Sequence, residues 1–209
     1  VEILSPKEIS NLFEVRGLST SPSIFDPEKL TWINGVHIRE MDEKELSIIV
    51  KEKVSLNTNN AKNVSDLDFI KITSLIRERI KSLDEIYPLV KFFFDYEKPE
   101  NKLIKCSELN NEEVKKLLKD LINDFKELDN KNNNSSDIED LLRSNSKELN
   151  LKVRDYLSLI RNCITGSEIS PPLFEAIEIL GISEAISRLN GCLDKISWMI
   201  SYQVVYSQR

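Results

Sequence analysis

Apolar residues recur along the chain at intervals of three and four, and few stretches alternate with a period of two. That pattern fits helices rather than strands, and only five glycines interrupt it. The expected fold class is all-α: a helical bundle or cage of two subdomains with short connecting segments.

The pattern divides into elements with recognisable ends. A short helix is expected over 6–13. Asp26 followed by Pro27 reads as a cap and first helical position, with the helix stopping at Asn34-Gly35. Helices are expected over 42–50 and 66–82, separated by the polar turn Asn57-Thr58-Asn59-Asn60. Leu75, Ile76, Ile80 and Leu83 share the apolar side of the second, with Arg77 and Arg79 nearby. A further helix over 84–94 is expected to kink before Pro88.

Lys98-Pro99-Glu100-Asn101 marks the domain boundary. Beyond it, Asn110 and Glu113 have capping-box spacing and open a helix to about residue 126. The run 129–136 (DNKNNNSS) reads as a polar loop with nothing to bury. Helices follow over 137–143 and over 152–164, the latter ending at Gly166. Ser170-Pro171 is expected to cap and start a helix that runs to Leu180 and stops at Gly181. Ser183-Glu184 opens the last, which continues toward Arg209 with a frayed end.

Net charge is −6, which lowers the expectation of nucleic acid without removing it, because the local arrangement of Lys and Arg matters more than the sum. No apolar run is long enough to span a bilayer, so no membrane partner is expected. The chain starts at Val1 with no basic-plus-apolar leader, which reads as no secretory signal and fits a processed or excised segment. Cys106, Cys163 and Cys192 are too widely spaced for a metal knuckle or disulfide framework and read as reduced cysteines. His37 is the single histidine, which excludes a histidine triad or an ordinary Cys/His zinc site elsewhere. Glu112-Glu113 and Glu139-Asp140 read as solvated helix faces, and no glycine-rich phosphate loop exists. These residues describe a non-catalytic helical module with no cofactor or metal of its own.

One stretch says more. Arg161-Asn162-Cys163-Ile164-Thr165-Gly166 is followed four residues later by Pro171-Pro172-Leu173-Phe174-Glu175, and then by Leu180-Gly181. A helix end beside a turn leaves backbone groups free and can set an arginine next to them, a workable pocket for an unstacked base. The same corner could serve packing alone. The motifs Ile160-Arg161, Ile164-Thr165-Gly166, Ser170-Pro171, Leu173-Phe174-Glu175, Leu180-Gly181 and Arg188-Leu189 resemble the anticodon-binding region of bacterial-type glutamyl-tRNA synthetases. Near the other end, Ser21-Pro22-Ser23-Ile24-Phe25-Asp26-Pro27-Glu28-Lys29-Leu30-Thr31-Trp32-Ile33-Asn34-Gly35, preceded by Val1-Glu2-Ile3-Leu4-Ser5, resembles a segment that follows that family's catalytic core.

The resemblance implies three parts: a connecting segment over 1–43, a helical stem-contact subdomain over 44–97 and an anticodon-binding subdomain over 98–209. It implies that Arg79, the second arginine of Arg77-Glu78-Arg79, helps distinguish the last anticodon base. Arg161 lies near the anticodon bases, and Ser170, Pro171 and Leu173 form the adjoining turn. Arg77, Arg143 and Lys152 are further expected contacts. The intact enzyme would attach glutamate to tRNA(Glu) using ATP and Mg2+, whereas this part would bind only the anticodon arm. Its partners would be tRNA(Glu) and the catalytic domain of the same polypeptide, in a cytoplasmic monomer. Departures from the family pattern are Thr20 for lysine, Cys163 for alanine and Pro172 for glycine. The alternative is an all-helical protein-interaction or scaffold domain, which the acidic charge favours.

Overall fold

The computed structural model describes residues 3–17, 24–129 and 134–206, with side chains to residue 200. Val1-Glu2, Thr20, Ser21-Pro22-Ser23 and residues 130–133 of the polar run lie outside them. Every regular element among the described residues is helical. The α-helices are α1 (Pro6–Leu12), α2 (Pro27–Glu40), α3 (Glu43–Ser55), α4 (Asp66–Ile76) and α5 (Ile86–Val90), then α6 (Asn111–Asp129), α7 (Ser135–Glu148), α8 (Val153–Thr165), α9 (Leu173–Leu180) and α10 (Ile182–Tyr206). Short 3₁₀ turns join several of them.

Two hydrophobic cores form. The first gathers Leu46, Val50 and Val54 of α3 with Phe69, Ile72 and Ile76 of α4, closed by Ile80, Ile86 and Val90. The second is built on α6, whose Val114, Leu117, Leu118, Leu121, Ile122 and Phe125 recur at helical spacing and are all buried. This stripe packs along α10, while α8 and α9 fill the remaining side. The two cores touch where α9 meets α4, and Ile179 of α9 packs against the first.

Several helix ends match their sequence signals. Asp26 accepts from the amides of Glu28 and Lys29. Asn110 and Glu113 exchange capping hydrogen bonds at 2.7 and 3.1 Å. Gly166 ends α8 in the left-handed conformation, φ 74°.

Other ends depart from expectation for visible reasons. α2 runs through Asn34-Gly35 to Glu40, because that pair makes a tertiary contact and not a turn. The Asn34 side chain donates to the Lys81 carbonyl, and a Cβ on Gly35 would stand 3.4 Å from the Lys81 Cα. α3 extends five residues beyond the expected end, burying Val54. α4 stops at Ile76, six residues short. Arg77 turns back to the end of α2, Arg79 N closes a tight turn on the Ile76 carbonyl at 2.8 Å, and Ile80 enters the core. Packing here overrides helix propensity.

Pro88 produces no kink, since α5 begins only at Ile86 and a first-turn residue has no amide partner to lose. α6 ends at Asp129. Ser135 and Ser136, read as loop, form the first turn of α7, capped by Asn134. α7 then runs five residues past Arg143 to bury Ser146. Ser170 does not cap α9. Pro172 holds the cap position, and the Ser170 hydroxyl donates to the Pro171 carbonyl at 3.0 Å.

Candidate nucleic-acid interface

The last turn of α8 exposes carbonyls that have no partner within the helix. Three of them are accounted for in turn. Asn162 O accepts from Gly166 N at 2.9 Å, Cys163 O from the Tyr96 hydroxyl at 2.7 Å, and Ile164 O from Arg188 Nη1 at 2.7 Å. Arg188 is only 5% exposed; its Nε donates to Glu184 at 2.7 Å and its guanidinium stacks 4.2 Å from the Tyr96 ring centroid. Burial raises the Tyr96 phenol above its ordinary pKa, so it remains a donor. Glycine is required at position 166 twice over: φ is positive, and a Cβ would come within 2.3 Å of the Glu97 carbonyl oxygen.

This held corner carries Arg161. Its Nε is buried without a hydrogen-bond partner, and burial, with Arg79 nearby, lowers its pKa. Arg79 arrives from the turn after α4 and donates from Nη1 to the Ser170 carbonyl at 2.8 Å. Arg79 therefore reaches the Ser170 turn from the other core, and Arg161 lies close enough to feel its charge. Ser170 and Pro171 are buried there, whereas the Leu173 side chain points into the second core, 3% exposed. Leu173 can meet a ligand chiefly through its backbone.

Beside the turn, a groove of about 470 Å³ is lined by Lys71, Glu78, Arg79, Pro172, Glu175 and Ile179, among others. Charges of both signs, with an apolar wall, suit a base edge and ring better than a run of phosphates.

The remaining expected contacts lie apart from this turn. Arg77 donates through Nε and Nη2 to the Arg39 carbonyl, at 2.9 Å for Nε, and through Nη2 to that of Met41, tying the end of α2 to the end of α4. Arg143 is exposed, pairs with Glu139 at 2.6 Å and lies 5.9 Å from the Phe174 ring centroid. Lys152 precedes α8 and pairs with Glu108 at 2.7 Å, with most of its side chain in solvent.

The sequence profile described as "Anticodon binding domain" matches residues 43–193. The chain belongs to that family. Among its relatives, glutamate–tRNA ligase 2 of Thermosipho melanesiensis is 33% identical over 196 residues, which cover 92% of this chain and 42% of the relative. Glutamate–tRNA ligase 2 of Caldicellulosiruptor saccharolyticus is 31% identical over 199 residues, 92% of this chain and 39% of the relative. The chain thus spans about two-fifths of the length of these relatives. A crystal structure of a glutamate tRNA ligase from Elizabethkingia meningosepticum, in complex with its amino acid, superposes with a TM-score of 0.79. It is 22% identical, over 92% of this chain and 37% of the other, a likeness that establishes the fold.

Within this anticodon-binding domain, sequence reasoning missed the residues that hold the corner. Arg188 was visible only as part of a motif, and Tyr96 gave no signal, because its partners lie 67 and 92 positions away. Lys195 also escaped notice; it donates to the Pro99 carbonyl at 2.7 Å and fastens the boundary segment to α10.

Proposed function

We propose that this anticodon-binding domain recognises the anticodon arm of tRNA(Glu) as part of a longer, cytoplasmic glutamate–tRNA ligase. The whole enzyme would join glutamate to that tRNA with ATP and Mg2+ bound outside this segment. The observation that carries the reading is the bond from Arg79 to the Ser170 carbonyl beside the mixed-charge groove, with Arg161 near enough to feel the Arg79 charge. A buried guanidinium nitrogen with no partner is costly. The outer nitrogens of the Arg161 fork would be the ones to meet an acceptor on an unstacked base.

In this reading the first core forms the stem-contact unit over 44–97, and the second the anticodon unit over 98–209. The exposed cations Arg143 and Lys152 meet phosphates, supplying affinity and salt dependence rather than selectivity. The connecting segment faces the remainder of the polypeptide: Leu12, Phe13, Val15, Ile24 and Phe25 are all exposed, and α1 buries none of its residues within this chain. Three buried free cysteines fit the reducing cytoplasm.

Titration with tRNA(Glu), and with the same tRNA altered at the last anticodon base, tests the reading at two salt concentrations. The domain should prefer the cognate anticodon, and Arg79→Gln should erase about 1–3 kcal/mol of that preference. Equal loss against both RNAs would remove Arg79 from base discrimination. Absence of salt-sensitive binding by the full-length protein would overturn the proposal as a whole.

A further inference from the structure

Arg79 and Arg161 come from different cores, and holding them within reach of each other's charge needs a device that fixes one core against the other. The corner of α8 supplies it. Tyr96 lies on the strand of chain leaving the first core, yet its hydroxyl caps Cys163 O inside the second. Arg188 stacks on the same ring and caps the next carbonyl, Ile164 O. The Glu97 carbonyl lies against Gly166, and Lys195 holds Pro99. Consecutive carbonyls at the end of the Arg161 helix are thus bonded by one group from the linker and one from α10.

A buried arginine with this set of partners is more than a packing element. Its fork spans a carbonyl and a carboxylate while its face covers an aromatic ring, a geometry that the flexible single ammonium of lysine does not reproduce. Tyr96 and Arg188 fix the direction in which α8 delivers the Arg161 side chain. Neither lines the groove that holds Arg79.

We infer that Tyr96 and Arg188 are positioning residues for anticodon discrimination, registering Arg161 against Arg79 at the Ser170 turn. The inference rests on the proposed reading of that turn as a base pocket. A shift of either arginine away from the turn weakens hydrogen bonds to a base edge while leaving phosphate contacts intact.

The test uses the full-length protein and the two tRNAs above, with Tyr96→Phe, Arg188→Lys, Arg161→Ala and the paired variants. Tyr96→Phe keeps the ring under Arg188 and removes only the hydroxyl, so it should fold. The expected result is an approximately fivefold loss of the cognate-over-altered preference in Tyr96→Phe, with an unchanged salt slope. Arg188→Lys should lose at least as much. Each effect should largely vanish in the Arg161→Ala background, because a residue acting through another is non-additive with it.

Equal weakening toward both RNAs, full additivity with Arg161→Ala, or unchanged discrimination in a folded Tyr96→Phe protein would each overturn the inference. The wild-type protein separates the two levels. Lack of anticodon preference there removes the underlying reading, and this inference with it. Preference in the wild type that survives the variants removes the positioning role alone.

Discussion

Two helix ends in this domain carry arginines in recognisable motifs, and they use them in opposite ways. At the end of α4, Arg77 spends its donors on carbonyls of the same core, and Arg79 reaches across to the other. At the end of α8, Arg161 keeps a buried nitrogen unbonded, and its helix is capped by side chains brought in from elsewhere. The first end secures itself with its own arginine. The second relies on guests, and its own arginine bonds none of its carbonyls. A motif position therefore does not say how an arginine is used; the partners it meets in the fold do.

Substitutions at the two ends should sharpen that contrast. The largest effect is expected for Gly166→Ala, which adds a left-handed non-glycine residue and a clash with Glu97; chemical denaturation should show a loss of about 3 kcal/mol. A loss under 1 kcal/mol would mean that the linker yields easily. Arg77→Ala should cost about 2 kcal/mol of stability, leaving the carbonyls of Arg39 and Met41 without this partner, while anticodon preference persists. Selective loss of discrimination instead would turn the scaffold arginine into a reader.

Arg161→Ala should do the reverse: roughly tenfold weaker tRNA binding, with a melting temperature unchanged or slightly higher. The stability side follows because an unpaired buried donor and its repulsion with Arg79 are both removed. Loss of helicity in this variant would assign the corner to packing. A pH titration of stability sharpens the guest role. The unfolded Tyr96 sheds its proton near pH 10 while the folded one retains it, so stability declines as pH rises above 10. Tyr96→Phe should flatten that decline by one proton's share, and an identical slope would deny the phenol its buried environment. Smallest of all, Lys152→Ala should leave the denaturation midpoint unchanged, since its pair with Glu108 is solvent-exposed.

Much of the fold was legible because its signals are local. The stripe on α6, the Asn110 box, the Asp26-Pro27 start and the glycine ends each depend on residues within one or two turns. What failed depends on distant partners. Asn34-Gly35 looks like a stop until Lys81 is seen beside it, and 77–82 look helical until the end of α2 draws Arg77 aside. Ser170 carries a cap-forming side chain, but a proline pair follows it and the helix starts only at Leu173. The motif residues around the candidate site could be named from the sequence; their convergence could not, because Arg79 and Ser170 are 91 positions apart.

The fastening of the 96–99 segment onto α8 and α10 also bears on engineering. A transplant of the second core into another host protein, cut at the obvious sequence boundary of Lys98, would leave Tyr96 behind and strip Cys163 O of its cap. The graftable module begins before Tyr96, so that the tether travels with the helix it closes.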